Sequence, residues 1–187
     1  RAIVELLADE GCDIALCART AGPVTEAVEA LKKKGVKAVG SAVNVADLAA
    51  LKAWVGQAAG ALGGADIFVA NVSALGLGMD EDSWRRGFDI DIMATVFGCE
   101  AALPFLEKSG AGAIVVVGST AMAENSAPNR AYASVKAAIV PYVKGLARNL
   151  AAKNIRANLV SPGNVYFKGG VWGNMEENNP AQFKVML

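Results

Sequence analysis

The sequence contains no histidine. That absence removes Ser-His-Asp hydrolysis, Cys-His catalysis and most zinc sites, because each relies on an imidazole. Cysteine is scarce. Cys12, Cys17 and Cys99 are the three present, none forms a CxxC pair, and an odd count argues against a disulfide framework. A reducing cytoplasm is the compartment expected for such a chain. Neither sign of charge dominates, with 18 basic and 18 acidic side chains. No nucleic-acid or acidic-membrane partner is therefore expected, since either needs a basic excess. No apolar run of about 18 residues is free of charges and breakers, so no membrane span is expected. No signal-peptide pattern opens the chain, and neither an internal repeat nor a low-complexity segment is found.

What is present is a chain of 187 residues, 53% hydrophobic, enough for one domain with a substantial core. It opens with Arg1 inside a helical pattern, "RAIVELLADEG", whose Gly11 sits where a helix ends. A chain that starts inside a helix is expected to be a piece of a longer one. Apolar strands and amphipathic helices then alternate. The strands are "DIALCA", "KAVGSAVNV", "ADIFVANV", "GAIVVVGST" and "IRANLVSPG". Between them lie "GPVTEAVEALKKKG", "DLAALKAWVGQAAGALG", residues 81–110 as one long helix or two, and a helix from about Ala131. Continuously apolar strands alternating with helices predict a parallel sheet covered on both faces. With right-handed crossovers this is a doubly wound, Rossmann-like α/β/α fold. The tail 164–187 loses the alternation and is read as a substrate lid with a short helix. Residues 1–187 are expected to form one domain, incomplete at both ends.

In such sheets ligands bind at the carboxyl ends of the strands. Two side chains near there share a helix face: Tyr132, with Lys136 one turn later. A phenol is a poor acid or base at neutral pH, and a neighbouring ammonium makes its proton easier to move. Alone, such a pair is commonly a surface tyrosine and a solvated lysine. Ser119 follows the buried strand "AIVVVG", on the same rim. Its hydroxyl can steady an oxygen that Tyr132 protonates, although a serine there commonly caps backbone.

Taken together, Ser119, Tyr132 and Lys136 with "VVVGS", "VANVSA", "FDIDIMATVFG" and "IRANLVSPGNV" resemble the short-chain dehydrogenase/reductase family, in family order over nearly the whole chain. The resemblance implies an oxidoreductase moving a hydride between a nicotinamide dinucleotide and a carbonyl or secondary alcohol, either like a 3-oxoacyl reductase or as a general ketone reductase. It implies Tyr132 as the proton donor or acceptor, Ser119 as the holder of the substrate oxygen, and Lys136 as the group that tunes Tyr132 and binds the nicotinamide ribose. Asn44 and Val45 fall where the family contacts adenine. Asn71, Pro162, Gly163 and Val165 fall at further cofactor positions.

Three departures stand out. The family's glycine-rich phosphate loop is not in the sequence. Asp91 occupies the place of the catalytic asparagine and is expected within water-bridged reach of Lys136. "ANVS" replaces Asn-Asn-Ala-Gly, so Ser73 brings a Cβ where the family has none.

After the second strand of a doubly wound fold, an acid favours NAD and an arginine accommodates a 2′-phosphate. "DIALCA" ends in Arg19, so NADP(H) is expected ahead of NAD(H), which stays open. The helices near 81–107 and 131–151 are apolar nearly all round, which predicts a homodimer or homotetramer. Asp91 and "ANVS" also leave open a catalytically impaired dinucleotide-binding protein. A doubly wound methyltransferase is disfavoured, because methyl transfer needs none of Ser119, Tyr132 and Lys136. The substrate is not identified by these residues.

Overall fold

The computed structural model describes residues 1–124 and 130–186. The elements run α1 (Ala2–Asp9), β1 (Ile14–Ala18), α2 (Ala21–Lys32), β2 (Ala38–Ala42), α3 (Leu48–Leu62), β3 (Ile67–Ala70), α4 (Glu81–Gly87), a π-turn (Phe88–Met93) and α5 (Ala94–Ser109). Then come β4 (Ala113–Val117), a 3-10 turn (Thr120–Met122), α6 (Arg130–Leu150), β5 (Arg156–Val160), α7 (Val171–Asn178) and α8 (Pro180–Met186). All strand pairs are parallel, as expected for apolar strands joined by helical crossovers.

Local chemistry marks the boundaries. Asp47 caps α3 by accepting from the Ala49 and Ala50 N–H groups, and Gly63 ends it at φ 91°. That left-handed conformation favours glycine. In α6 the buried positions Ala131, Val135, Ile139, Val143, Leu146 and Leu150 recur every third or fourth residue, the period that puts them on one face. The stretch read as one helix or two is α4 and α5 joined through the π-turn.

The strands divide into two hydrogen-bonded sets, β1–β2 and β3–β4–β5. Around β1–β2, α1 and α2 pack on one face through Ala8, Val24, Val28 and Leu31 against Ile14 and Ala38. α3 packs on the other, with Leu51, Val55 and Cys17 in a cluster that also holds Val45 and Ala94. Around β3–β4–β5, α5 and α6 cover one face, where Cys99, Leu106, Ile139 and Val143 meet Ile114, Val116 and Ala157. The register aligns Val69 with Val115 and Val117 with Val160 on the opposite face. There Val69, Val115 and Val117 are half-buried and Val160 is exposed. Val55 touches both the α5–α6 cluster and the α3 cluster, and so stitches the two sets together. The result is the doubly wound, Rossmann-like α/β/α architecture.

The tail holds two short helices where one was expected. α7 and α8 pack chiefly on each other. Tyr166 donates to Glu176 Oε2 at 2.6 Å, and its ring lies 6.1 Å from that of Phe183. Leu187 lies outside the described residues.

Candidate active site

Parallel strands bring their carboxyl ends to one edge, and the residues singled out in the sequence follow those ends. Arg19 follows β1, Asn44 and Val45 follow β2, Asn71 follows β3, Ser119 follows β4, and Pro162, Gly163 and Val165 follow β5. α6 then carries Tyr132 and Lys136 back over the end of β4. Lys136 is buried, and its Nζ donates to the carbonyl of Val117, the last residue of β4, at 3.1 Å. It lies 5.8 Å from the centre of the Tyr132 ring. The half-buried Tyr132 sits one turn earlier on the same face.

Asp91 approaches from the π-turn. Its Oδ1 stands 2.9 Å from Lys136 Nζ, and the two side chains are 0% and 5% exposed. Oδ1 makes no aligned hydrogen bond among the described residues, so the contact is an ion pair held by charge. Oδ2 accepts from the Ala74 N–H at 2.9 Å. The water-bridged separation expected from the sequence is thus replaced by direct contact. The cause is the π-turn, a wider helical turn that changes which side chains face inward. A buried charge needs a partner and hydrogen bonds to offset its desolvation; Asp91 and Lys136 supply these for each other together with two backbone groups.

Ser119 is half-buried. Its hydroxyl accepts from the Ala121 N–H at 3.2 Å and caps the 3-10 turn. No hydrogen bond joins it to Tyr132 among the described residues. The next segment is tied to the same turn, since Thr120 N donates to Pro162 O at 3.0 Å and Gly118 N to Val160 O at 2.8 Å. Beyond it, Gly163 and Val165 are exposed.

The remaining cofactor candidates differ in what they offer. Arg19 is exposed and forms no ion pair or hydrogen bond among the described residues, so its guanidinium is available to an anion. Asn44 is exposed but uses its Oδ1 to accept from the Ala46 N–H at 3.2 Å. Val45 is 4% exposed and packs with Leu51 and Ala94. Its side chain is part of the core, leaving the backbone for any adenine contact. Asn71 is exposed. Ser73, at the family's glycine position, accepts from the Leu75 N–H at 3.1 Å.

Sequence reasoning missed the carbonyl of Val117 and the N–H of Ala74, which anchor the charge pair. Backbone groups occur at every residue and carry no sequence signal. In the core, burial pushes the Cys99 thiol up to about 12, which leaves it protonated and inert. No metal-binding cluster of Cys, Asp and Glu exists among the described residues, and no helix there is long and apolar enough to cross a membrane.

Comparison with known proteins identifies the family. The family model for short chain dehydrogenases matches residues 1–176. Isoepoxydon dehydrogenase of Aspergillus clavatus is 36% identical over 176 residues, covering 91% of this chain and 68% of that protein. L-sorbose reductase from Gluconobacter frateurii, solved with NADPH and L-sorbose, superposes with a TM-score of 0.88 at 29% identity, over 98% of this chain and 73% of that one. Xylitol dehydrogenase, solved with NAD+, gives a TM-score of 0.82 at 26% identity, over 87% of this chain and 64% of that one. With the family model spanning almost the whole sequence and the Ser119, Tyr132 and Lys136 motif in place, this chain belongs to the short-chain dehydrogenase family of oxidoreductases.

Proposed function

We propose that this protein is an NADP(H)-dependent oxidoreductase acting on a carbonyl or secondary alcohol. The observation that carries the reading is Lys136, drawn from α6 onto the last carbonyl of β4 with Tyr132 one turn before it. A bound nicotinamide supplies or accepts the hydride. Tyr132 gives its hydroxyl proton to the carbonyl oxygen in reduction and takes it back in oxidation. Ser119 donates to the same oxygen, which requires its hydroxyl to keep only an accepting role toward Ala121 N–H. Lys136 holds the ribose and places positive charge beside the phenol.

Arg19 supports NADP(H) over NAD(H), because a free guanidinium suits a 2′-phosphate through charge-assisted hydrogen bonds. Asn71 and the Pro162–Val165 segment line the nicotinamide side, and the backbone around Asn44 and Val45 meets the adenine. Residues 164–187 act as a substrate lid, hinged at Gly169 and Gly170. Exposed Trp84, Phe88 and Phe97 on α4, the π-turn and α5 support a homodimer or homotetramer built through the helices around 81–107 and 131–151. A cytoplasmic home is in keeping with its three free cysteines.

The test is reduction of a ketone panel by the full-length protein, followed through NADPH absorbance. Tyr132→Phe removes the proton and keeps the ring, so turnover is expected to fall by about a thousandfold or more with NADPH binding retained. Arg19→Ala is expected to weaken NADPH binding and leave NADH binding unchanged. The direct Asp91–Lys136 pair favours a second reading, an impaired dinucleotide-binding protein, because it engages the lysine internally. NADPH binding without turnover on any ketone or alcohol would establish that alternative.

A further inference from the structure

The Asp91 carboxylate receives two donors from different parts of the chain. Oδ2 accepts the Ala74 N–H at 2.9 Å, while Oδ1 lies 2.9 Å from Lys136 Nζ. Lys136 in turn donates to Val117 O at 3.1 Å. One charge pair therefore joins the loop after β3, the π-turn, the end of β4 and α6. The loop is tightly wound where it is held. Ser73 Oγ accepts from the Leu75 N–H, and Leu75 has φ 46°, a left-handed conformation that disfavours a leucine. Such a conformation persists only where surrounding contacts hold it.

With Lys136 in direct contact, a carboxylate suits this place better than the amide the family carries there. Both oxygens of an ionised Asp accept, whereas Asn offers one acceptor and one NH2 donor. At position 91 an asparagine has one acceptor oxygen; the Lys136 ammonium, as the charged donor, takes it, and the NH2 is left facing the Ala74 N–H. One buried donor would then face another, and the group left unpaired bears its full desolvation cost. We infer that Asp91 is a positioning residue that fixes the Lys136 ammonium at the end of β4 and couples it to the conformation of residues 73–75. It acts through Lys136 and touches no substrate. Its consequence for turnover rests on the oxidoreductase reading above; the bridge itself does not.

Amide hydrogen exchange and lysine-ammonium NMR on the full-length protein test the bridge. In the wild type, the Ala74 amide is expected to be protected although its neighbours lie in an exposed loop, and the Lys136 ammonium is expected to give a visible proton–nitrogen correlation. Ala74 exchanging as fast as the other loop amides would overturn the proposal without any variant. In Asp91→Asn, Ala74 exchange is expected to accelerate about tenfold or more, as for loss of a hydrogen bond to a charged acceptor, and the ammonium signal is expected to weaken. Adding Lys136→Met removes the opposing donor, so the asparagine oxygen can take Ala74 and protection is expected to return. A double variant that stays unprotected would overturn the donor-conflict argument. If Ala74 behaves as expected but wild-type protein shows no turnover with NADPH, the oxidoreductase reading fails and the bridge stands. Turnover with an unprotected Ala74 is the reverse.

Discussion

The two strand sets are built differently, and a buried charge pair lies beside only one of them. β1–β2 has α1 and α2 on one face and α3 on the other. β3–β4–β5 has α5 and α6 over one face, while Val160 on the other is 51% exposed. Among the described residues the first set contains no buried charge; Asp91 and Lys136 are both buried beside the second. The first set is held by strand pairing and apolar packing, and its functional candidate, Arg19, is an exposed side chain past the strand end. The active-site candidates instead need charges withdrawn from water, where their interaction is stronger. That demands backbone partners, and the strand end and the loop after β3 provide them.

The sharpest way to break this comparison is to cut equally buried leucines from each set. Leu106 is 0% exposed beside β3–β4–β5 and Leu31 is 1% exposed beside β1–β2. Each replacement by Ala is expected to cost about 2–5 kcal/mol. Because Val55 joins the clusters, both are expected to shift one common urea transition. Two separate transitions would show that the sets fold independently.

Gly40 sharpens the contrast on the β1–β2 side. A Cβ there would stand 2.6 Å from Val24 Cγ1, 2.7 Å from Val28 Cγ2 and 3.2 Å from the Leu16 carbonyl oxygen, so α2 lies almost on the strand. Gly40→Ala is expected to destabilise by about 1–3 kcal/mol, as overpacking does, measured by thermal denaturation. A neutral result would mean that α2 gives way easily and is not firmly seated on β2.

Asp47→Ala removes the acceptor of two N–H groups at the start of α3. A loss of about 1 kcal/mol is expected, typical of a helix cap, with faster amide exchange confined to the first turn of α3. The smallest effect belongs to Cys99. Burial raises its thiol from an ordinary 9.0 to about 12, so the folded state keeps a proton that the unfolded state releases. Its contribution to stability is present below about pH 9 and is lost as pH rises toward 12. Cys99→Ala is expected to flatten that alkaline decline and to cost about 0.5–1 kcal/mol near neutrality, where the buried sulfur fills core space. Alkylation of native protein followed by mass spectrometry is expected to label Cys12 and Cys17 before Cys99.

Much of the fold was readable from residue order, because strand and helix periods differ and apolar runs such as "AIVVV" have few alternatives to a buried strand. The helix carrying Tyr132 and Lys136, the serine after β4 and the arginine after β1 were likewise visible, since their roles depend on side-chain type and on spacing along one element. What only the tertiary structure decided concerns contacts between elements. Asp91 meets Lys136 directly because the π-turn aims it inward, and nothing in "FDIDIM" announces an extra residue in a helical turn. The second helix in the tail, the core position of Val45 and the division of the strands into two sets also depend on how distant segments pack. Ala74 and Val117 complete the site through an N–H and a carbonyl that every residue owns, so their part in it follows from where the chain places them and not from which amino acids they are.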